Sequence, residues 1–149
     1  MFKKAKAFAE KGNYIAQYFL WTFFNEIGSP KEQIGNALEW LERSAEANYW
    51  AAQFTLAWIY YNEKFISRNQ QKSEFWAKKA LPKLIKSAHE NDADSQFGMA
   101  LFYTFGLAVD RNLDSAKKWN SRAIKNGHGE ALKFSQILEE EFEEQLNNK

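Results

Sequence analysis

Apolar and small residues along this chain return at steps of three and four, the spacing that stacks side chains on one face of an α-helix. The helical stretches are interrupted by single Gly or Asn residues at matched places. A small residue is followed three positions later by Gly or Asn, and four after that by a second small residue. The copies are Ala9, Gly12, Ala16; then Ala45, Asn48, Ala52; then Ala88, Asn91, Ser95. A fourth opens on Ile124 and continues through Gly127 to Ala131. The anchors Ala16, Ala52, Ser95 and Ala131 stand 36, 43 and 36 residues apart. Gln17, Gln53 and Gln96 follow the first three directly, and Leu20, Leu56 and Met99 lie four residues past them. Phe24, Tyr60 and Tyr103 lie eight past. A second element with Ala37, Trp40, Ser44, and later Ala116, Trp119, Ala123, again occupies one helix face. The pattern predicts an all-α solenoid of about three to four helix–turn–helix repeats, forming a single domain over 1–149.

The joints support the same division. Gly12 and Gly127, with Asn48 and Asn91 in the same slot, suit left-handed helix stops. Ser29-Pro30-Lys31-Glu32 has the form of an N-cap, a proline at the first helical position and a capping-box Glu. Asn112 also suits an N-cap. The middle spacing is longer than its neighbours by 43 − 36 = 7 residues, about two helical turns. A helix beginning near Asn69 is therefore predicted to be two turns longer than its counterparts. Ser73, Trp76 and Ala80 repeat the small–Trp–small spacing inside it, and Pro82 is expected to kink it.

The best-formed copy runs Tyr103-Thr-Phe-Gly106-Leu-Ala-Val109 and then Ala116, Trp119, Ala123 and Gly127. It resembles the Sel-one-like repeat (SLR), a relative of the tetratricopeptide repeat, with its tyrosine, glycine-rich turn and Ala–Trp–Ala second helix. The resemblance extends over nearly the whole chain. It implies a right-handed superhelix whose first helices line a concave face. It also implies a scaffold or adaptor role, because the family is known for binding proteins and not for a shared active site.

With the buried face of each first helix at offsets zero, four and eight from the anchor, offsets two, six and nine lie opposite. Those slots hold Tyr18, Thr22 and Asn25, then Phe54, Trp58 and Tyr61, then Phe97, Leu101 and Thr104. Tyr14 and Trp50 stand two positions before their anchors. Aromatic residues thus occupy positions that a solvated helix keeps polar. Two explanations compete: an aromatic-lined binding groove, or rings packed between neighbouring first helices. Trp58 and Tyr61 are the better groove residues, because short polar residues hold the matching slots. The last helix bears Glu139, Glu140, Glu141, Glu143 and Glu144, with Phe134, Leu138, Phe142 and Leu146 spaced by four. It reads as a C-terminal capping helix with an apolar stripe and an acidic outer face. Alternatively Glu140, Glu144 and their neighbours dock a basic partner.

Charge and composition narrow the function. The 149 residues carry a formal net charge of +1, no cysteine, and 17% aromatic residues. Near-zero net charge gives no reason to expect nucleic acid or an anionic membrane as partner. Absence of cysteine removes disulfides and thiolate metal sites and fits a cytoplasmic location. No apolar stretch approaches a membrane span, and the segment after Met1 to Lys6 lacks the apolar core of a signal peptide. His89 and His128 each follow a joint and are expected to face solvent. Asp110, Asn112 and Asp114 lack the glycine and closing Glu of a calcium loop. Neither a metal, a cofactor nor an enzymatic activity is expected. The expected function is binding another protein. Its most concrete form is a cytosolic immunity or antitoxin-like protein that blocks a toxin encoded by a neighbouring gene. The alternative is a general adaptor in signalling or quality control. A monomer is the default, with head-to-tail association through the basic and acidic ends as a third option.

Overall fold

The computed structural model describes residues 1–26, 31–63 and 67–149. The predicted cap at Ser29 to Glu32 lies outside the described residues. Eight helices are present among those described: α1 Phe2–Glu10, α2 Tyr14–Glu26, α3 Lys31–Glu46, α4 Trp50–Asn62, α5 Gln70–His89, α6 Ala93–Phe105, α7 Leu113–Lys125 and α8 Gly129–Asn147. The even-numbered helices α2, α4, α6 and α8 carry the four anchors and are the first helices of the repeats. Helices α1, α3, α5 and α7 are second helices. The chain forms two compact units, Met1–Ala80 and Leu81–Lys149, and the division falls within α5.

One joint is built four times. Gly12, Asn48, Asn91 and Gly127 all have positive φ, between 65° and 90°. Each such residue donates its N–H three residues back, to Ala9, Ala45, Ala88 or Ile124. The next residue donates five back, to Phe8, Ser44, Ser87 or Ala123. This pair of bonds satisfies the orphan carbonyls at a helix end and requires the left-handed residue between them. The residue that closes one helix then opens the next. Asn13 Oδ1 accepts from Ala16 N, Asp92 Oδ2 from Ser95 N, and His128 Nδ1 from Ala131 N. Tyr49, in the same slot, makes no such side-chain bond. A three-residue joint leaves little slack, so the chain turns back directly into the next helix.

The glutamines next to the anchors tie first helices to the second helices before them. Gln17, Gln53 and Gln96 are buried. Their Nε2 groups donate to the carbonyls of Ala9, Ala45 and Ala88 at 3.0, 3.1 and 3.0 Å. Serines make further ties within unit one. Ser44 Oγ donates to Tyr14 O and Ser73 Oγ to Ala57 O, each at 2.7 Å. Both bonds need close helix approach, which the fully buried Ala45, Ala52, Ala57 and Ala77 permit.

The core of unit one is Trp21, Ala37, Leu41, Ala45, Ala52, Leu56, Ile59 and Tyr60, with Trp76 packed against it. In unit two Leu84, Met99, Phe102, Leu113, Phe134 and Leu138 are buried among small residues of α5, α6, α7 and α8. Asn69 starts α5 as anticipated, accepting from Lys72 N at 3.0 Å. α5 has 20 residues against 13 in α7 and 16 in α3, so the expected two extra turns hold against α7, and against α3 the excess is about one turn. It remains helical through Pro82, which is exposed. Water can therefore reach the carbonyl that the missing N–H leaves open.

Candidate functional site

The aromatic slots divide by what covers them. In unit one the Tyr18 ring meets Tyr49 edge-on at 5.4 Å, and its hydroxyl lies 3.4 Å from Thr55 Oγ1. Both partners belong to the start of α4, the next first helix. In unit two the Phe97 ring lies 4.4 Å from His128 and 5.6 Å from Phe134, at the start of α8. Tyr18 and Phe97 therefore pack between neighbouring first helices. The groove explanation fails for two further residues. Leu101 is only 5% exposed and Thr104 is 1% exposed. Offsets six and nine of α6 thus belong to the core and not to a solvent-facing groove. His128 also departs from its expected solvent position. Its side chain is 12% exposed, with Nε2 3.2 Å from Asp94 and Nδ1 spent on the α8 cap.

Unit one also carries a ring cluster near the end of α4. Trp58 and Tyr61 are half-buried and stack at 5.7 Å with an interplanar angle of 21°. The exposed Arg68 guanidinium lies 4.7 Å from the Tyr61 ring centroid, within cation–π range. Helical spacing of three brings Trp58 and Tyr61 together on α4. Trp50 and Phe54 are half-buried, and Tyr14 is exposed beside Tyr49 at 5.4 Å. Tyr14, Tyr18 and Tyr49 thus form a cluster of three phenols. Burial, then proximity to Tyr18 and Tyr14, pushes the Tyr49 phenol up from its ordinary range. The cluster offers wide flat faces and hydroxyls but no nucleophile paired with a base.

The sequence reading missed a second-helix feature. In both well-formed copies the tryptophan carries an arginine three residues on. Arg43 lies 4.9 Å from the Trp40 ring in unit one, and Arg122 lies 5.0 Å from the Trp119 ring in unit two. The His89 ring meets Trp119 edge-on at 5.1 Å. The signal was present as the Trp-x-x-Arg spacing, although spacing does not distinguish an exposed pair from a buried one.

On α8 two acids of the run are held by ion pairs. Glu139 pairs with Lys117 at 3.0 Å, and Lys117 also lies 3.9 Å from the Phe142 ring. Glu141 pairs with Arg111. These two acids are engaged by the preceding elements, whereas Glu140, Glu143 and Glu144 remain exposed. The apolar stripe is likewise only half covered: Phe134 and Leu138 are buried, Phe142 is half-buried and Leu146 is exposed. Among the described residues, no three His, Asp or Glu side chains converge as a metal site. Nor is any helix long and apolar enough to cross a membrane.

The Sel1 repeat family model matches residues 15–49, 50–81 and 93–128. The chain belongs to the Sel1 repeat family. The three matches coincide with α2–α3, α4 with the first half of α5, and α6–α7, so α1 and α8 flank three Sel1 units. Among solved structures the chain is similar to a protective antigen present in uropathogenic Escherichia coli strains, which displays an SLR fold. That match has 24% identity and a TM-score of 0.64 over 93% of this chain and 28% of that one. It is also similar to a Sel1 repeat protein from Oxalobacter formigenes, with 26% identity and a TM-score of 0.53 over 80% of this chain and 45% of that one. The chain thus spans less than half the length of either structure. No curated protein matches it. Sel1 repeat proteins are protein–protein interaction modules, and the surfaces above are those such a module has to offer.

Proposed function

We propose that this Sel1 repeat chain binds a protein partner through the Trp58–Tyr61–Arg68 surface of unit one. The observation that carries the proposal is the stacked, half-buried Trp–Tyr pair with an arginine over it. Trp, Tyr and Arg dominate binding hot spots because they bury large area with little loss of side-chain freedom and still offer hydrogen bonds. Tyr14, Trp50 and Phe54 extend the apolar contact. In its specific form the protein is a cytosolic inhibitor of the immunity or antitoxin kind. It occludes the working surface of a toxin encoded nearby, while the exposed Glu140, Glu143 and Glu144 speed encounter with a basic partner.

A second reading, a general adaptor, is favoured by the separate Trp119–Arg122 surface of unit two, which gives a second partner somewhere to bind. The test is affinity capture from the source cell with Trp58→Ala and Tyr61→Ala in parallel, followed by titration of the purified pair. Truncating a central anchor is expected to cost about 2 kcal/mol or more, roughly 30-fold in Kd. One stoichiometric partner from an adjacent gene, weakened that far, supports the inhibitor. Several partners, some lost only in Trp119→Ala, support the adaptor. A partner bound equally by every variant refutes both surfaces.

A further inference from the structure

The Trp–Arg pair of unit two is set in a face unlike that of its counterpart in unit one. Ser115, Lys117, Lys118, Trp119, Ser121 and Arg122 line one open groove along α7. Each of these side chains can donate a hydrogen bond, and none is an acid. Lys117 is already engaged by Glu139. Lys118 and Arg122 are exposed and enter no ion pair among the described residues. Arg122 instead lies 5.0 Å from the Trp119 ring, and contact with the ring restrains the guanidinium before its N–H fork meets a carboxylate. The acids nearby in sequence are outside the groove lining. Glu90, next to His89 on α5, is 3.9 Å from Lys86. Asp114, the sole acid of α7, is exposed one turn before Lys118 and forms no ion pair among the described residues. In unit one α3 carries the same pair, Trp40 and Arg43, but in that register Glu39 matches Lys118 and Glu42 matches Ser121. Glu39 lines the groove beside Trp40. The groove of unit one thus holds a carboxylate of its own, and the groove of unit two holds none.

We propose that the α7 groove of unit two binds an extended acidic segment of a partner protein, with acids at alternate positions. The inference rests on the second reading above, in which this surface is a separate binding site, and it names the class of partner. Charge complementarity carries it: two unpaired cations and further donors face outward with no acid among them. The spacing agrees. Lys118 and Arg122 are four residues apart, about 6 Å along the helix axis. Alternate side chains of an extended strand stand about 6.6 Å apart. A segment lying along α7 therefore brings one carboxylate to each cation, and the Ser115 and Ser121 hydroxyls can donate to its backbone carbonyls. Two unpaired cations are too few for a nucleic-acid backbone, whose affinity is built from many phosphate contacts.

The test is fluorescence anisotropy of the purified full chain with a labelled synthetic peptide of alternating glutamate and serine, against a glutamine–serine peptide as the uncharged control. Saturable binding is expected at low salt, weakening as added salt screens the charges. Arg122→Ala should lower affinity roughly tenfold or more, and so should Lys118→Glu, which gives the groove the charge of its unit-one counterpart. Lys118→Arg should keep the wild-type affinity. Lys133→Glu makes the same change in net charge at an exposed site on α8 outside the groove, and Arg43→Ala alters the other Trp–Arg pair; neither should cost more than about twofold. All the sites are exposed, and circular dichroism would verify folding. Absence of saturable binding up to roughly 1 mM peptide overturns the proposal. Equal binding of the glutamine peptide, or an equal loss in Lys133→Glu, overturns it as well. A single-stranded oligonucleotide that displaces the labelled peptide at lower concentration than unlabelled peptide does assigns the groove to phosphate and also overturns it. If the peptide fails to bind while partner capture still depends on Trp119, the acidic occupant is overturned and the second reading stands. Capture insensitive to Trp119→Ala overturns that reading, whatever the peptide does.

Discussion

Replacing each of the three bracket glutamines by leucine should produce unequal losses of stability, in an order set by bonds outside the bracket itself. Leucine approximates the glutamine volume and adds a similar apolar gain at each site, so differences report the polar groups. In all three cases the Nε2 bond to an alanine carbonyl is lost. That carbonyl keeps a second donor, the N–H of Gly12, Asn48 or Asn91, so the loss is one ordinary bond, about 1 kcal/mol. Gln96 loses more, because its Oε1 also accepts from Asn126 Nδ2 at 2.8 Å. Gln17 loses less, because its Oε1 is buried with no hydrogen-bond partner among the described residues, and removing an unsatisfied oxygen recovers about 1 kcal/mol or more. The expected costs are therefore about 2 kcal/mol for Gln96→Leu, about 1 for Gln53→Leu and near zero for Gln17→Leu. Urea unfolding followed by tryptophan fluorescence and by circular dichroism gives the midpoints. The two signals should coincide and the slope should hold constant before midpoints are compared. A Gln17→Leu variant as damaged as Gln96→Leu would refute the reasoning.

Three further perturbations test other links. Asn48→Ala and Asn91→Ala each place a β-carbon residue with no local polar compensation at positive φ. Each should cost about 1 kcal/mol in urea unfolding, whereas glycine at either site should be close to neutral. His128→Ala removes the α8 cap and should cost about 1 kcal/mol, with His128→Asn recovering much of it, since Asn13 performs that role in the first joint; equal losses in both variants would argue that ring packing on Phe97 matters more than the cap. For Tyr49, the folded phenol holds its proton to higher pH than the unfolded one. Its contribution is thus complete below the ordinary phenol value of about 10 and is lost as pH rises through that value and the folded one. Urea midpoints taken from pH 9 to pH 11 should fall more steeply in the wild type than in Tyr49→Phe.

Much of the fold follows from local chemistry that sequence records directly. The four joints were legible because a left-handed stop admits few residues besides Gly and Asn, and these recur three positions after a small residue. The start of α5 at Asn69 and its extra length followed from spacing alone, since a helix extended by whole turns keeps its buried face. Asn112 was identifiable as a cap for the same local reason, and it accepts from Ser115 N at 3.0 Å. Trp58 and Tyr61 were set apart from Tyr18 and Phe97 because Thr22 and Asn25 hold their slots in the first copy, yet all four are half-buried. That contrast is indirect information about packing.

Sequence by itself therefore determined the helices, their joints, the small residues at close approaches and membership of the Sel1 family. Each of these depends on residues within about two turns of one another or on a repeated spacing. The tertiary structure decided which faces stay open. Periodicity gives the direction of a side chain around its own helix but not whether another helix covers that direction. Leu101 and Thr104 lie where solvent was expected and are buried. Tyr18 and Phe97 pack against the starts of α4 and α8. Glu139 and Glu141 sit in one acidic run with Glu140, yet they are the two that Lys117 and Arg111 reach, a pairing set by where α7 and the turn before it place those cations. The buried glutamines became brackets only when the preceding helix brought a carbonyl within 3.1 Å, a proximity no single helix can encode.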